Sequence, residues 1–251
     1  MRLGALLGPI ADARESGTLA TQARTYVAAG FESLWSAHAL GRGFMLTDPL
    51  VALTVAASVT EHVEIGTAVL QLPLYHPIDV AHRVLSLMQI CGGRFVLGVG
   101  AGSTAKDFAA VGRDHASRFR DFDTTLLSLR AALATGRTGD VDLAPWANLA
   151  GGPPLMLGSW GNGVERAAKS FDGWIASANY RTTDQVIDAH ARYRRAGGKR
   201  AIVSTIQLNA STDLGKLREQ LGRFAAAGFD DAVVMFLPGA PSPEKVRALV
   251  A

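Results

Sequence analysis

The sequence predicts an α/β fold, a single (β/α)8 TIM barrel of parallel strands with outer helices, for three reasons. Its 251 residues match the usual size of about 250 residues for one such barrel. Strand-like and helix-like segments alternate along the chain, and right-handed crossovers curl such a series into a barrel. No change of composition marks a linker, which favours one domain over residues 1–251. Alternation alone leaves an open, doubly wound sheet as the competing fold.

Eight short segments are predicted as strands because they are rich in apolar residues, as strands covered on both faces are. They comprise residues 3–7, 33–37, 64–69, 95–99, 155–157, 174–177, 201–208 and 232–237. The segments between them show helical spacing of apolar residues and helix-end signals such as Pro49 and Gly228. Predicted helices cover residues 16–29, 48–60, 77–90, 106–108, 117–134, 183–196 and 213–227, and further helices begin after residues 162 and 242. Residues 135–152 show no period and are predicted as the longest irregular stretch.

Composition and charge argue against several classes of function. Apolar residues make up 48% and charged residues 19% of the chain, which supports a large core. The net charge is +3 and the 25 Lys and Arg residues are scattered, so no nucleic-acid partner is expected. A single cysteine, Cys91, cannot form a disulfide within the chain. The first apolar run breaks at Gly8, and no stretch of about 18 apolar residues follows. We therefore expect a cytoplasmic protein without membrane contact.

The active site of a parallel barrel lies where the strands end at their carboxyl side. The residues that follow the predicted strands are Gly8, Pro9, His38, residues 69–72, 100–103 and 158–162, Ala178, Asn179, Asn209, Pro238 and Gly239. His38 is the one ionisable residue among them, and they provide no carboxylate pair, metal-ligand set or Ser-His-Asp group. A glycine-rich mouth of this kind favours an enzyme whose chemistry is carried by a cofactor.

The segment from Pro153 to Trp174 predicts a site for a phosphate group. A short apolar strand leads into the glycine-rich turn GSWGNG, residues 158–163, and a helix follows. Asn162 is a favourable N-cap residue, and Glu165 stands three positions later, where a capping box has its acid. Such a helix start offers free backbone N–H groups and the positive end of the helix dipole to an anion. An ordinary strand–helix loop is the alternative.

Six runs, in this order and at these intervals, resemble the flavin-dependent luciferase-like oxidoreductases (the bacterial luciferase-like monooxygenases), a family of barrel enzymes. They are GFESLW from Gly30, DPLVALTVAA from Asp48, GTAVLQLPLYHP from Gly66, GGRFVLGVGAG from Gly92, KDFAAVG from Lys106 and ERAAKSFDGW from Glu165. Each run is weak alone, and their order makes the resemblance specific. The resemblance implies a flavin-dependent oxidoreductase that acts on a small organic substrate.

The resemblance also implies roles for individual residues. His38 falls where the family has an active-site histidine, although Ala37 replaces the acid that usually precedes it. Ala68 and Val69 fall where members carry a non-proline cis peptide behind the flavin ring. His76, in the LYHP run, is expected to be structural.

Further cofactor-binding positions are expected after the fourth strand and in the glycine-rich turn. They are Gly100, Gly102, Gly158, Ser159, Trp160, Gly161 and Asn162. Ser159 and Asn162 fall where relatives hold the cofactor phosphate. Ala101 replaces an arginine that reaches this phosphate in luciferase, so the helix start is expected to carry more of the binding.

The family divides between FMN users, usually supplied with reduced flavin by a separate flavin reductase, and users of a deazaflavin coenzyme, which transfer hydride. Ser103 stands where some deazaflavin enzymes have an acidic proton donor, and the GSWGNG turn is similar to the FMN type. We therefore expect an FMN-dependent monooxygenase, with deazaflavin-dependent hydride transfer as the alternative. Ala37 and Ala101 also leave open a flavin-binding protein without turnover, and a barrel enzyme for a sugar phosphate is a third alternative.

The residues expected around the mouth are apolar and predict an uncharged organic substrate, although such residues can equally be core. They are Phe44, Met45, Leu72, Tyr75, Trp160 and Tyr180. The resemblance also makes a homodimer an expectation. Small residues on the second helix, Ala52, Ala56 and Ala57, would allow close packing there unless they face the barrel.

Overall fold

Eight parallel strands form a closed ring in the computed structural model, which describes residues 1–8, 18–145 and 147–250. The ring strands are β1 (Arg2–Leu6), β2 (Ser33–Ser36), β3 (Glu64–Thr67), β5 (Phe95–Gly100), β8 (Leu155–Gly158), β9 (Gly173–Ser177), β10 (Arg200–Leu208) and β11 (Asp231–Phe236). A short strand β4 (Leu70–Gln71) continues β3 and also pairs with β5. The ring closes because β3 pairs with β5, through Ile65 with Phe95 and Gly66 with Val96. The closed barrel is therefore confirmed, and the open sheet is excluded.

Helices cover the outside of the ring. They are α1 (Leu19–Ala28), α2 (Pro49–Val59), α3 (Pro77–Cys91), α4 (Ala105–Ala109), α5 (Arg118–Thr135), α6 (Gly163–Ser170), α7 (Thr183–Arg195), α8 (Leu214–Ala227) and α9 (Pro243–Arg247). These bounds agree with the predicted helices to within a few residues. The predicted start of the first helix at Ser16 lies outside the described residues, as does Pro9. No helix in the described part of the chain is both long and apolar enough to span a bilayer.

The prediction of one irregular stretch over residues 135–152 is wrong in part. Helix α5 extends to Thr135, and two short strands, β6 (Arg137–Thr138) and β7 (Val141–Asp142), then form an antiparallel pair. Strands of two residues are too short to show an alternating pattern in the sequence. The remainder of the segment forms turns among the residues that the structure describes.

The interior of the ring is filled by one apolar side chain from each strand or its end. These are Leu6, Trp35, Ala68, Val96, Met156, Ile175, Ile202 and Val233. Trp35 is the largest of them and is fully buried, and its indole Nε1 donates to Ser33 Oγ at 2.8 Å. A Cβ atom at Gly66 on β3 would overlap the Trp35 ring, and a Cβ at Gly4 on β1 would lie 3.0 Å from its Nε1. Both neighbouring strands therefore need glycine to make room for this side chain.

Charged residues lie at the end of the barrel where the strands begin, opposite the end where the strands finish. Arg2, Glu64, Arg200 and Asp231 each stand at the first position of their strand. Arg200 lies 2.9 Å from Asp231 Oδ2 and donates to Glu64 Oε2 at 3.0 Å, and Arg2 lies 2.6 Å from Asp231 Oδ1. Asp231 is fully buried, and burial raises the pKa of its carboxyl although two guanidinium groups lie against it and oppose the shift.

Gly66→Ala is expected to lower the free energy of unfolding by about 1–3 kcal/mol, because the added methyl overpacks the ring against Trp35. Urea denaturation measures the change. The cost of Gly66→Ala should be smaller in a Trp35→Phe background, since the smaller ring leaves room for the methyl. Strictly additive effects of the two substitutions would contradict this packing.

Gly222→Ala is the matched control for Gly66→Ala. Gly222 lies inside α8, and a Cβ there would meet no atom within 4 Å. Alanine costs less backbone entropy than glycine in a helix, so this variant should gain about 0.5–1 kcal/mol.

Candidate active site

His38 lies just after β2, at the carboxyl end of the barrel, and hydrogen bonds hold both its backbone and its ring. Its backbone N–H donates to the Val69 carbonyl oxygen at 3.3 Å. Its Nε2 lies 3.2 Å from the hydroxyl of Tyr75, and this hydroxyl in turn donates to Asp48 Oδ2 at 3.1 Å. The other carboxylate oxygen of Asp48 accepts the first amides of α2 and caps that helix. We call these three side chains the Asp48–Tyr75–His38 triad.

The imidazole of His38 and the phenol of Tyr75 are both neutral because of their surroundings. Burial lowers the pKa of His38, and the charge of Arg42 adds to this, whereas Asp48 and Asp107 oppose it without reversing it. Burial and the neighbouring Asp48 carboxylate raise the pKa of the Tyr75 phenol. The imidazole and the phenol are therefore both uncharged at neutral pH.

Sequence reasoning identified His38 but missed its two partners. Tyr75 was predicted as apolar lining and Asp48 only as the start of a helix. Tyr75 lies soon after the predicted third strand, which is a signal that could have found it, whereas Asp48 lies well beyond the predicted second strand and carries no such signal. Their pairing depends on the packing of α2 beside the turn before α3.

A buried carboxylate, Asp107 on α4, ties the loop after β2 to the barrel. It is fully buried and accepts hydrogen bonds from the Leu40 N–H at 3.1 Å, Arg42 Nε at 2.8 Å and Gln71 Nε2 at 2.7 Å. A second nitrogen of Arg42 also pairs with it. Gln71 Nε2 lies 3.1 Å from the His38 carbonyl oxygen as well, so the same group holds the backbone of His38 in place.

The hydrogen bonds to Asp107 decide its ionisation. Burial alone would raise the pKa of this carboxyl, but the donors Arg42, Gln71 and Leu40, together with the Arg42 charge, outweigh burial. The pKa therefore lies below its usual value, and Asp107 is a carboxylate at neutral pH. Its charge is matched by Arg42, which keeps the site free of an uncompensated ion.

The Ala68–Val69 peptide bond is cis, as the resemblance implies. The side chain of Val69 lies between the ends of β5 and β8, where a Cβ at Gly100 would come within 2.9 Å of Val69 Cγ2 and a Cβ at Gly158 would overlap Cγ1. A Cβ at Gly102 would meet Gln71 and Phe108. These three glycines are therefore explained by contacts within the protein, whatever else they border.

The turn after β8 presents unused backbone donors. In the described part of the chain, the N–H groups of residues 159–162 donate to no other group. Gly161 has a φ of +60°, and a Cβ there would meet no atom within 4 Å, so the turn is open on this side. The Ser159 hydroxyl donates to the Gly163 carbonyl oxygen at 2.8 Å and keeps its lone pairs available.

The predicted capping box at the start of α6 is wrong. Asn162 has helical angles, φ −68° and ψ −13°, and its side chain makes no capping hydrogen bond. A capping side chain needs an extended backbone to reach the free amides of the first turn. Glu165 instead binds Arg192 through two hydrogen bonds of 2.8 and 2.9 Å, and Arg192 also donates to the Gly161 carbonyl oxygen at 3.0 Å.

A second arginine lies beside the turn. The guanidinium carbon of Arg181 lies 4.5 Å from the centre of the Trp160 ring, and Arg181 donates to the Tyr180 carbonyl oxygen. Within the described residues no carboxylate pairs with Arg181. The turn that lacks an arginine at position 101 therefore has a cation next to it from the loop after β9.

The residues predicted to line the mouth have three different environments. Leu72 is fully buried in the core, so its prediction as lining is wrong, and Tyr75 is in the triad. The other four are exposed: Phe44, Met45, Trp160 and Tyr180. Ala52, Ala56 and Ala57 are buried within the chain and offer no surface to a second copy.

Two other predictions meet simple structural outcomes. His76 caps α3 by accepting the Ile78 N–H at its Nδ1, which confirms a structural role.

Among the described residues, no cluster of three or more His, Cys, Asp or Glu side chains could hold a metal ion. A depression of about 790 Å³ lies at the far end of the barrel, beside Arg2, Glu64 and Arg200, whose charges pair with one another.

Asp107→Asn is expected to lower the free energy of unfolding at pH 7 by about 1.5–3 kcal/mol, the range for hydrogen bonds to a charged group. Because folding lowers the pKa of Asp107, its stabilisation is complete above the unfolded value of about 3.9 and disappears as pH falls through the folded value. Urea denaturation between pH 7 and pH 2 should therefore show the difference between the two proteins shrinking in acid. Asp140→Asn, at an exposed turn, is the control and should leave the curve unchanged.

Comparison with known proteins identifies the family of this chain. The family model of luciferase-like monooxygenases matches residues 7–232. A relative, the 4-hydroxyprotoasukamycin monooxygenase of Streptomyces nodosus subsp. asukaensis, is 41% identical over 93 residues, which are 36% of this chain and 25% of that protein. The chain thus spans about a quarter of that relative's length in the match.

Solved structures agree in fold over nearly the whole chain. The monooxygenase RslO1 from Streptomyces bottropensis has a TM-score of 0.79 at 17% identity, covering 100% of this chain and 97% of that one. An F420-dependent secondary alcohol dehydrogenase, solved with an F420-acetone adduct, has a TM-score of 0.78 at 15% identity, covering 99% and 97%. At these identities the likeness shows the fold alone. Because the family model spans residues 7–232, the chain belongs to the luciferase-like monooxygenase family of oxidoreductases.

Proposed function

We propose that this chain is an FMN-dependent monooxygenase that acts on an uncharged organic molecule and receives reduced flavin from a separate flavin reductase. The observation that carries the proposal is the turn of residues 159–162, whose four backbone N–H groups are unused in the described structure. It lies at the carboxyl end of β8 and at the start of α6, where the helix dipole favours an anion.

The residues present fit a flavin phosphate. The four free N–H groups and the guanidinium of Arg181 would supply donors and positive charge to its oxygens. The Ser159 hydroxyl would join them only by turning its proton away from the Gly163 carbonyl oxygen. Gly158, Trp160, Gly161 and Asn162 complete this turn. Glu165, which lies just after this turn, is paired with Arg192, so it adds no unpaired negative charge beside the phosphate.

The flavin ring would be bordered by a second set of residues. Ala68 and Val69, with their cis peptide bond, stand at the end of β3, next to Gly100 at the end of β5, and Gly102 follows. Bound reduced FMN would supply the electrons with which oxygen is activated. The protein's own part is to hold the ring, to exclude charge and to present His38 at the mouth. The triad and Asp107 keep His38 in one position.

Deazaflavin-dependent hydride transfer is the second candidate function, because the family that the chain resembles also contains users of a deazaflavin coenzyme, and an F420-dependent dehydrogenase shares the barrel fold. Ser103 speaks against it, because it provides no acidic proton donor after β5. Titration of the purified protein with FMN and with the deazaflavin coenzyme, each oxidised and reduced, distinguishes them. Tight binding of reduced FMN with oxygen consumption supports the first function, and selective binding of the deazaflavin supports the second.

Gly161→Val is expected to weaken FMN binding by about tenfold or more, which is about 1.4 kcal/mol. A β-branched residue is strained at a φ of +60°, so the turn would change shape and its N–H groups would no longer converge. Isothermal titration measures the affinity. Gly139→Val is the matched control, because Gly139 also has a positive φ of 55° and an open surrounding, but lies between β6 and β7. Equal affinity of the wild type and Gly161→Val would place the phosphate elsewhere.

Arg181→Gln is expected to weaken the binding of FMN about five- to tenfold, in line with the loss of one charged contact. Riboflavin lacks the phosphate, so its affinity should change little. The ratio of the two affinities isolates the contact between Arg181 and the phosphate from any effect on the ring. An equal loss for both ligands would mean that Arg181 acts only by packing on Trp160.

A further inference from the structure

The proton positions in the Asp48–Tyr75–His38 triad follow from counting donors and acceptors. As a carboxylate, Asp48 can only accept hydrogen bonds. Its Oδ1 accepts the N–H groups of Leu50 and Val51, at 3.0 and 3.2 Å, and its Oδ2 faces the Tyr75 hydroxyl at 3.1 Å. Tyr75 has one proton to donate, and Asp48 takes it.

The Tyr75 hydroxyl can therefore only accept from His38, whose Nε2 lies 3.2 Å away. A proton must then sit on His38 Nε2. In a neutral imidazole the other nitrogen, Nδ1, is left as an acceptor. Nδ1 is inaccessible to solvent and has no hydrogen-bond partner among the described residues. A buried acceptor without a donor is costly and uncommon in a native protein.

We propose that Tyr75 and Asp48 are positioning residues that hold His38 in the Nε2–H tautomer, which leaves Nδ1 as a bare acceptor at neutral pH. What this acceptor does in turnover rests on the proposed function, whereas the tautomer itself does not. A merely structural role of Tyr75 and Asp48 would hold the ring in place without selecting which nitrogen carries the proton.

His38 is a neutral acceptor and not a permanent cation, although charged groups surround the triad. The carboxylates of Asp48 and Asp107 and the guanidinium of Arg42 act on His38 with opposite signs, and Arg83 lies 6.0 Å from the Tyr75 ring centre. Burial outweighs the carboxylates and disfavours the imidazolium. His38 therefore offers a neutral nitrogen lone pair at neutral pH.

The first test is long-range ¹H–¹⁵N correlation spectroscopy on the uniformly ¹⁵N-labelled full chain without cofactor, with His38→Gln to assign the signals. His38 should show a protonated Nε2 and a bare Nδ1 at pH 7. His190 is an internal reference of the opposite kind, because its Nε2 accepts from Arg194 Nε at 3.0 Å, which leaves the proton on Nδ1. A wild-type His38 with the proton on Nδ1, or on both nitrogens, would overturn the inference.

Asp48→Asn should reverse the tautomer. The asparagine oxygen can still cap α2, while its NH₂ group donates to the Tyr75 oxygen and turns the hydroxyl proton towards His38 Nε2. Asp213→Asn is the matched control, because Asp213 caps α8 by the same two contacts, with Gly215 and Lys216, and should leave the His38 signals unchanged. Tyr75→Phe, which keeps the ring, should give a mixture of tautomers. An unchanged tautomer in both Asp48→Asn and Tyr75→Phe would contradict the proposed roles of these residues.

All these spectra are recorded without flavin. Failure of the proposed FMN function therefore leaves them unchanged and is detected separately by the FMN titration.

Discussion

The pairing of β3 with β5 is the constraint on which the rest of this structure depends, because it closes the ring. At this point Thr67 Oγ1 donates to the Gly98 carbonyl oxygen at 2.6 Å, and a Cβ atom at Gly98 would overlap the Thr67 carbonyl oxygen. Only glycine lets the two backbones approach this closely. Directly after Thr67 the chain passes through the cis peptide bond and continues as β4, which carries Gln71.

The candidate site is built from the residues that follow this closure. Val69 fills the space between Gly100 and Gly158 and also receives the backbone N–H of His38. Gln71 links the His38 carbonyl oxygen to Asp107. The short segment of residues 69–71 thus contacts His38, Gly100, Gly158 and Asp107. Local changes at this closure would therefore move several parts of the site at once.

The two ends of the barrel differ in the charged residues that they carry. The end where the strands begin holds a network of paired arginines and carboxylates, centred on the buried Asp231. At the other end His38 and Tyr75 are neutral, Asp48 caps α2, and the fully buried carboxylate of Asp107 is matched by Arg42. Arg181, which pairs with no described carboxylate, lies beside the turn after β8. This arrangement agrees with the proposed position of the flavin phosphate.

The sequence by itself determined the eight strands, most helix ends, the closed-barrel expectation, the glycine-rich turn and the position of His38. These features depend on apolar periodicity and on residue types such as glycine, proline and N-cap residues, which act over a few neighbours along the chain. The family resemblance added the cis peptide bond at Ala68, which no local pattern indicates.

Only the tertiary structure decided the partners of these residues. Tyr75 and Asp48 are separated by 27 positions and His38 and Tyr75 by 37, so their hydrogen bonds exist because α2 and the segment before α3 pack side by side. In the same way Glu165 binds Arg192, 27 positions away, and does not cap its own helix. A polar side chain binds a distant partner when the fold brings that partner within hydrogen-bond distance. Sequence spacing reports only on neighbours along the chain, so it cannot show which distant groups come that close.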